Sequence, residues 1–167
     1  KKSIGGGGPL TEFPAPAENI WLNRIEVFGS RYGTSKPPDE SFEVYVLSGD
    51  RTIIKHISLP YCLWERGTDY WRDLPIPPVK VPRAFAVGLV FHPGRTKGVY
   101  VGTDNVPESH SFTWTPERPG SGLEGQDWMI RVSVDREAAG DPEATDLVVL
   151  RNGDAYIDRF VGAAGDP

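Results

Sequence analysis

Apolar and polar side chains alternate every second residue along this chain, and glycine and proline cut the alternation at short intervals. That pattern restricts the fold more than any other feature. Ile25-Glu26-Val27-Phe28-Gly29-Ser30-Arg31-Tyr32-Gly33 runs into Pro37-Pro38-Asp39-Glu40-Ser41, and Phe42-Glu43-Val44-Tyr45-Val46-Leu47 follows. Side chains of a strand point alternately to its two faces, so this reads as strand, corner, strand, with one face dry and one wet. Variants of the same grammar recur to about residue 134.

The alternation assigns faces. Leu10 and Glu12 oppose Thr11 and Phe13, and Pro14-Ala15-Pro16 ends that strand. Trp21, Ile25 and Val27 share one face, with Arg24 and Glu26 on the other. Phe42, Val44 and Val46 oppose Glu43 and Tyr45, while Trp128, Ile130, Val132 and Val134 oppose Arg131 and Ser133. Residues 84–91 are apolar on both sides, as a central strand buried twice requires. Further strands are expected over 53–59, 98–102 and 110–115. No segment sustains a 3.6-residue apolar repeat. The expected class is all-β, a β-sandwich or jelly roll.

Residues 137–146 are acidic and poor in bulky side chains, which reads as a linker. Beyond them, Leu147-Val148-Val149-Leu150-Arg151, Asn152-Gly153 and residues 155–160 carry a β-hairpin signal, because Asn-Gly favours the type I′ turn. The expected organisation is therefore a sandwich over 1–136, a linker over 137–146 and a C-terminal hairpin and tail over 147–167. A lone hairpin is marginal in water. It must dock on the sandwich, mediate self-association, or belong to a following domain.

Composition narrows the partners. Among 167 residues the formal net charge is −5 and the pI is about 5.2, which argues against a nucleic-acid surface and against attraction to an anionic membrane. No apolar run reaches the roughly 20 residues that span a bilayer, so membrane insertion is not expected. The single cysteine, Cys62, excludes an intrachain disulfide. It sits between Tyr61 and Leu63, in the company expected of a buried, inert thiol. The abrupt opening at Lys1-Lys2 reads as a piece of a longer protein.

The string formed by Lys2 to Gly6, Gly29-Ser30-Arg31-Tyr32-Gly33, Phe42-Glu43-Val44-Tyr45, Pro60-Tyr61, Glu65-Arg66-Gly67, Thr96-Lys97-Gly98-Val99-Tyr100-Val101 and Asp127-Trp128-Met129-Ile130-Arg131 resembles a bacterial accessory β-sandwich domain. Domains of this kind are appended to peptidases and other multidomain proteins outside the cytoplasm, and they look like the galactose-binding-like jelly roll. The resemblance covers residues 2–134. It implies an extracytoplasmic setting, periplasmic or secreted, and a non-catalytic recognition role, with carbohydrate or protein and peptide as partner classes. It maps no ligand set onto particular residues.

The candidate site residues follow from chemistry. In Gly29-Ser30-Arg31-Tyr32-Gly33 the glycines permit positive φ at a corner, and Arg31 and Tyr32 offer a fork of donors and an amphipathic ring. The competing reading pairs Arg31 with a loop carboxylate such as Asp39 or Glu40. Trp64 and Trp71 flank a turn with Arg66 between them, as a stacking platform for a sugar or peptide would, or else they seal one end of the sandwich. Asp104, Glu108 and Asp127 are oxygen ligands near loops, with His110 alongside. Such oxygens suit Ca²⁺, and jelly rolls of this class often hold a structural calcium, but solvated loop acids are the plainer reading. No other cofactor is expected.

No motif marks a reaction centre. The run Gly5 to Gly8 leads into Pro9 and a strand, not into the helix a phosphate cradle needs. His56, His92 and His110 lack zinc spacing, with His92 expected at a turn. A hydrolase would need carboxylates brought together only by the fold.

Overall fold

The computed structural model describes residues 1–4, 7–149 and 155–158, and these form antiparallel sheets without an α-helix. The first sheet is organised on β3 (Ile20–Arg31). One edge of β3 pairs with β14 (Ile130–Asp135) and then with β9 (Val99–Val101), which in turn pairs with β1 (Lys2–Ser3). The opposite edge takes β7 (Val79–Val81) and β6 (Tyr70–Leu74). The register requires this split: Ile25 pairs with both Val132 and Leu74, and Gly29 with both Tyr70 and Val101.

The second sheet runs β12 (Arg118–Gly122), β11 (Ser111–Thr115), β2 (Gly8–Pro14), β8 (Ala84–Val90), β4 (Ser41–Ser48) and β5 (Ile53–Pro60). A two-stranded ladder joins β10 (Thr103–Asn105) to β13 (Gln126–Trp128), and another joins β15 (Asp146–Val149) to β16 (Ala155–Asp158). The Asn152-Gly153 turn lies outside the described residues, as do Gly5 and Gly6.

The two large sheets share one core, consistent with a β-sandwich. Leu22, Ile25 and Val27 of β3 and Leu74 of β6 pack with Phe42, Val44, Val46, Val87 and Leu89 of the second sheet. Each large apolar side chain removed from water here contributes roughly 1.5–3 kcal/mol. Trp128 and Ile130 are buried in the same core, and Val132 and Val134 pack against it, on the face that alternation assigned to them. The break at Met129 separates β13 from β14, where a single strand was expected.

A second, smaller cluster of Leu10, Leu47, Ala86 and Trp114 covers the outer face of the second sheet, with Tyr45, Val90 and Phe112 against it. It accounts for the two-sided apolar character of 84–91: one face of β8 meets the main core and the other lies under Trp114.

Two expectations are corrected. Trp21 is not in phase with Ile25 and Val27. The β3–β14 register shifts between Arg24↔Ser133 and Leu22↔Val134, so Asn23 is an extra residue that exchanges the faces. Ile20 and Leu22 therefore point inward, and Trp21 lies outside beneath the Lys80 ammonium, 5.6 Å from its ring centre. Cys62 is exposed, not buried: Tyr61–Leu63 forms a 3₁₀ turn that buries Tyr61 and Leu63 and turns the residue between them outward.

Residues 137–146 pack against the sandwich. The Asn23 amide donates to the Glu137 carbonyl at 2.8 Å and accepts from the Ala139 N–H at 3.0 Å, and Ala144 is buried. Leu147, Val149 and Ala155 rest on the main core, so the terminal strand pair docks on this chain.

Candidate functional site

The end of β3 builds the most developed concave surface among the sequence candidates. Arg31 joins the 65–67 turn through two backbone bonds: its N–H donates to the Glu65 carbonyl at 2.9 Å, and its carbonyl accepts from the Gly67 N–H at 3.2 Å. Tyr32 N–H donates to the Gly98 carbonyl at 3.0 Å, which holds the corner against β9. Between these segments opens a pocket of about 320 Å³ lined by Lys1, Ser30, Arg31, Tyr32, Gly33, Arg66, Gly67 and Tyr100.

The glycines serve two different needs. Gly33 has φ +94° and turns the chain, as expected. Gly29 lies within β3 without positive φ, and its role is close approach: a Cβ there would fall 2.1 Å from the Tyr100 carbonyl oxygen.

Arg31 is 3% exposed and is held by backbone oxygens. Its Nε donates to Trp64 O at 3.2 Å, and its Nη atoms donate to Thr34 O at 2.5 Å and Ser35 O at 2.6 Å. The expected carboxylate partner is not used, because Glu40 pairs with Lys97 and Asp39 is exposed. Burial, then the neighbouring Arg66 charge, lowers the Arg31 pKa from its ordinary value. Arg66 donates from Nε to Gly33 O at 2.8 Å. Neither arginine forms an ion pair among the described residues.

Aromatic rings and one carboxylate complete the rim. Tyr32 and Tyr100 lie with ring centres 5.0 Å apart and planes tilted by 49°. Lys1 Nζ stands 5.1 Å from the Tyr100 ring centre and donates to Asp69 at 2.7 Å. Ser30 donates to the other Asp69 oxygen at 2.6 Å. Asp69 is thereby held below its ordinary carboxylate value, first by Lys1 and then by Ser30.

The tryptophans behave differently from a platform. Trp64 is 1% exposed and packs edge-on against Phe42 and Phe91, so its ring is closed to any ligand; it seals the sandwich. Its position follows from the 3₁₀ turn, whose last bond is from the Trp64 N–H to Tyr61 O at 3.0 Å. Trp71 is half-buried on the outer face of the first sheet. Phe28 lies 5.6 Å from its ring centre, and the Arg131 guanidinium stands 4.1 Å over it. It takes no part in the rim pocket.

Asp127 lies directly across from Asp104 in the β10–β13 ladder. Its carboxylate accepts from His110 N–H at 2.8 Å and Ser109 Oγ at 3.1 Å, and His110 Nδ1 lies 4.0 Å from it. It thus caps the turn that leads into β11. Glu108 is exposed beside that turn. Among the described residues no group of three or more histidine, cysteine or acidic side chains gathers as a metal set.

Another pair of carboxylates faces across strands, Glu26 and Asp73, on the outer face of the first sheet. Glu26 is gripped by Arg131 Nε and Nη2 at 2.8 and 2.9 Å, and Asp73 by Arg24 at 2.9 Å. The Arg131 bonds pull Glu26 below its ordinary value, while partial burial pushes Asp73 up against the pull of Arg24. Asp73 borders a groove of about 610 Å³ between this sheet and β16, but Glu26 does not line it.

Sequence reasoning offered Arg31 and Tyr32 in one loop and Arg66 in another, beside the tryptophans; the fold brings the three to one pocket. It missed Tyr100, Ser30, Lys1 and Asp69, whose convergence depends on β9 crossing the end of β3. Comparison with family models, curated proteins and solved structures returned no match.

Proposed function

We propose that this chain is a non-catalytic recognition module of a larger extracytoplasmic bacterial protein, built as a galactose-binding-like jelly roll with a C-terminal hairpin, and that it binds its ligand at the end of β3. The observation that carries this reading is the rim pocket itself, where Arg66, Lys1, Tyr32 and Tyr100 converge on about 320 Å³ of open space. Its lining offers rings and donors held by a rigid strand end, the composition of a binding site. Ser30 donates its hydroxyl to Asp69, whose other oxygen is held by Lys1, so the three act as a strut at the edge of the pocket.

The flat tryptophan platform gives way to a tyrosine-lined cleft, because Trp64 belongs to the core. Carbohydrate and peptide remain the partner classes, now addressed to this cleft. The docked terminal strands favour a structural role for the hairpin over self-association. A glycan and peptide microarray probed with the wild-type chain and with Tyr100→Ala tests the reading. Specific signals lost in the variant support it, and identical arrays from the two proteins overturn it.

A further inference from the structure

We infer that the rim pocket is an anion subsite, and that its ligand is a single carboxylate-bearing sugar residue of the uronate class. The inference rests on the recognition reading above and specifies its chemistry.

The pocket is unbalanced in charge. Arg31, Arg66 and Lys1 line it, and one carboxylate, Asp69, stands behind them. Asp69 is already committed to Lys1 and Ser30. Every hydrogen bond from the two guanidiniums ends on a backbone carbonyl, and both Nη atoms of Arg66 are without a partner among the described residues. Elsewhere on this chain Arg24, Arg51, Arg72 and Arg131 meet a carboxylate, while Arg83, Arg95, Arg118 and Arg136 form no ion pair among the described residues; Arg31 and Arg66 differ from these in lining one pocket side by side. Two neighbouring guanidiniums without one, on a chain of net charge −5, leave a local excess that an anion relieves. The planar fork of Arg66 presents two parallel donors, the geometry that matches a carboxylate.

Size and polarity specify the rest. About 320 Å³ is the room for one substituted six-membered ring, free or as one residue of a longer chain. The Tyr100 hydroxyl makes no hydrogen bond among the described residues and its residue lines the pocket, so it is the tyrosine partner for a ring hydroxyl of the ligand, while the Tyr32 hydroxyl lies against Gly98. The inclined tyrosine faces suit the apolar C–H face of a pyranose. A simple aliphatic acid would use the fork but leave the hydroxyl and rings idle.

The test is a calorimetric or NMR titration of the full chain with galacturonate, galactose and glucose 6-phosphate, at low and high salt, repeated on Arg66→Gln, Arg66→Lys and Tyr100→Ala. Galacturonate should bind at least about tenfold more tightly than galactose, as one charge-assisted pair provides. That margin should shrink with salt, vanish in Arg66→Gln and survive in part in Arg66→Lys. Tyr100→Ala should weaken both sugars. Equal binding of galactose and galacturonate overturns the anion subsite but leaves the recognition reading in place. Tighter binding of glucose 6-phosphate overturns the carboxylate in favour of a phosphate. No binding of any probe overturns the sugar-acid proposal, and the microarray then judges the broader reading separately. Arg66 is exposed, so its variants should keep the wild-type melting temperature.

Discussion

The Arg131 guanidinium grips the Glu26 carboxylate through two bonds, 2.8 and 2.9 Å, while lying 4.1 Å over the Trp71 ring. The pair connects β14 to β3, and the ring connects it onward to β6, so three strands are latched on one outer face. Because Arg131 holds Glu26 below its ordinary value of 4.5, Glu26 contributes stability that is present above that value and lost as pH falls through the lowered one. Asp73, raised above 3.8, acts in the opposite sense: its contribution is present below 3.8 and lost as pH rises through the raised value. Urea midpoints measured from neutral pH into the acid range should therefore fall on the acid side in the wild type, with a shallower limb in Arg131→Gln and Glu26→Gln. Superimposable acid limbs would remove the latch from the stability of the fold.

Trp64→Ala should destabilise the chain by about 3–5 kcal/mol, the range for truncating a large buried aromatic. Trp64→Phe should cost less, since a ring still faces Phe42 and Phe91. Denaturant unfolding followed by circular dichroism reads both, and a near-neutral Trp64→Ala would contradict its place in the core.

Arg31→Met keeps an apolar stem but orphans the carbonyls of Trp64, Thr34 and Ser35. Thr34 and Ser35 are exposed and can turn to water, but leaving the buried Trp64 carbonyl unmet costs about 1–3 kcal/mol. Amide exchange should accelerate over residues 32–40 before it does in β4 or β8. Unchanged exchange in that loop would mean it holds without the Arg31 bonds.

Cys62 should react with a thiol reagent such as Ellman's in the native state, at a rate near that of a free thiol. Cys62→Ser should shift stability by no more than about 0.5 kcal/mol, as for a surface site. A thiol that reacts only after unfolding would put it back inside.

Cutting the chain after Asp135 uncovers the part of the core beneath Leu147, Val149 and Ala155. The truncated protein should melt at a lower temperature and bind the dye ANS more strongly. Equal melting temperatures would make the terminal strands passengers.

Much of the architecture was legible because a half-buried strand writes its faces into every second residue. Phe42, Val44 and Val46 point inward as alternation demands, and β8 is central because nothing polar interrupts 84–91. Trp21 was misplaced because a bulge adds a residue without changing composition, and Asn23 looks like any polar strand residue until its amide is seen holding Glu137 and Ala139. Cys62 was misplaced because a 3₁₀ turn rotates one residue outward between two buried ones. β6 (Tyr-Trp-Arg-Asp-Leu) and β12 (Arg-Pro-Gly-Ser-Gly) do not alternate apolar with polar side chains, and β7 is three residues set between prolines, so no strand period shows in them. At the candidate site Arg31, Tyr32 and Arg66 were legible by type. Tyr100 and Asp69 were not, since about 40 to 70 residues of chain separate them from Ser30, which joins them in the fold by pairing with Tyr100 and bonding to Asp69.

The central strand of the first sheet is made early in synthesis, yet one of its neighbours, β14, emerges about a hundred residues later. A ribosome-bound chain stopped short of residue 130 thus carries a hydrophobic ribbon with much of one flank bare, and the emergence of β14, not of β3, is when that flank is covered. Stalled nascent chains should change from protease-sensitive to protease-resistant only once β14 has cleared the exit tunnel.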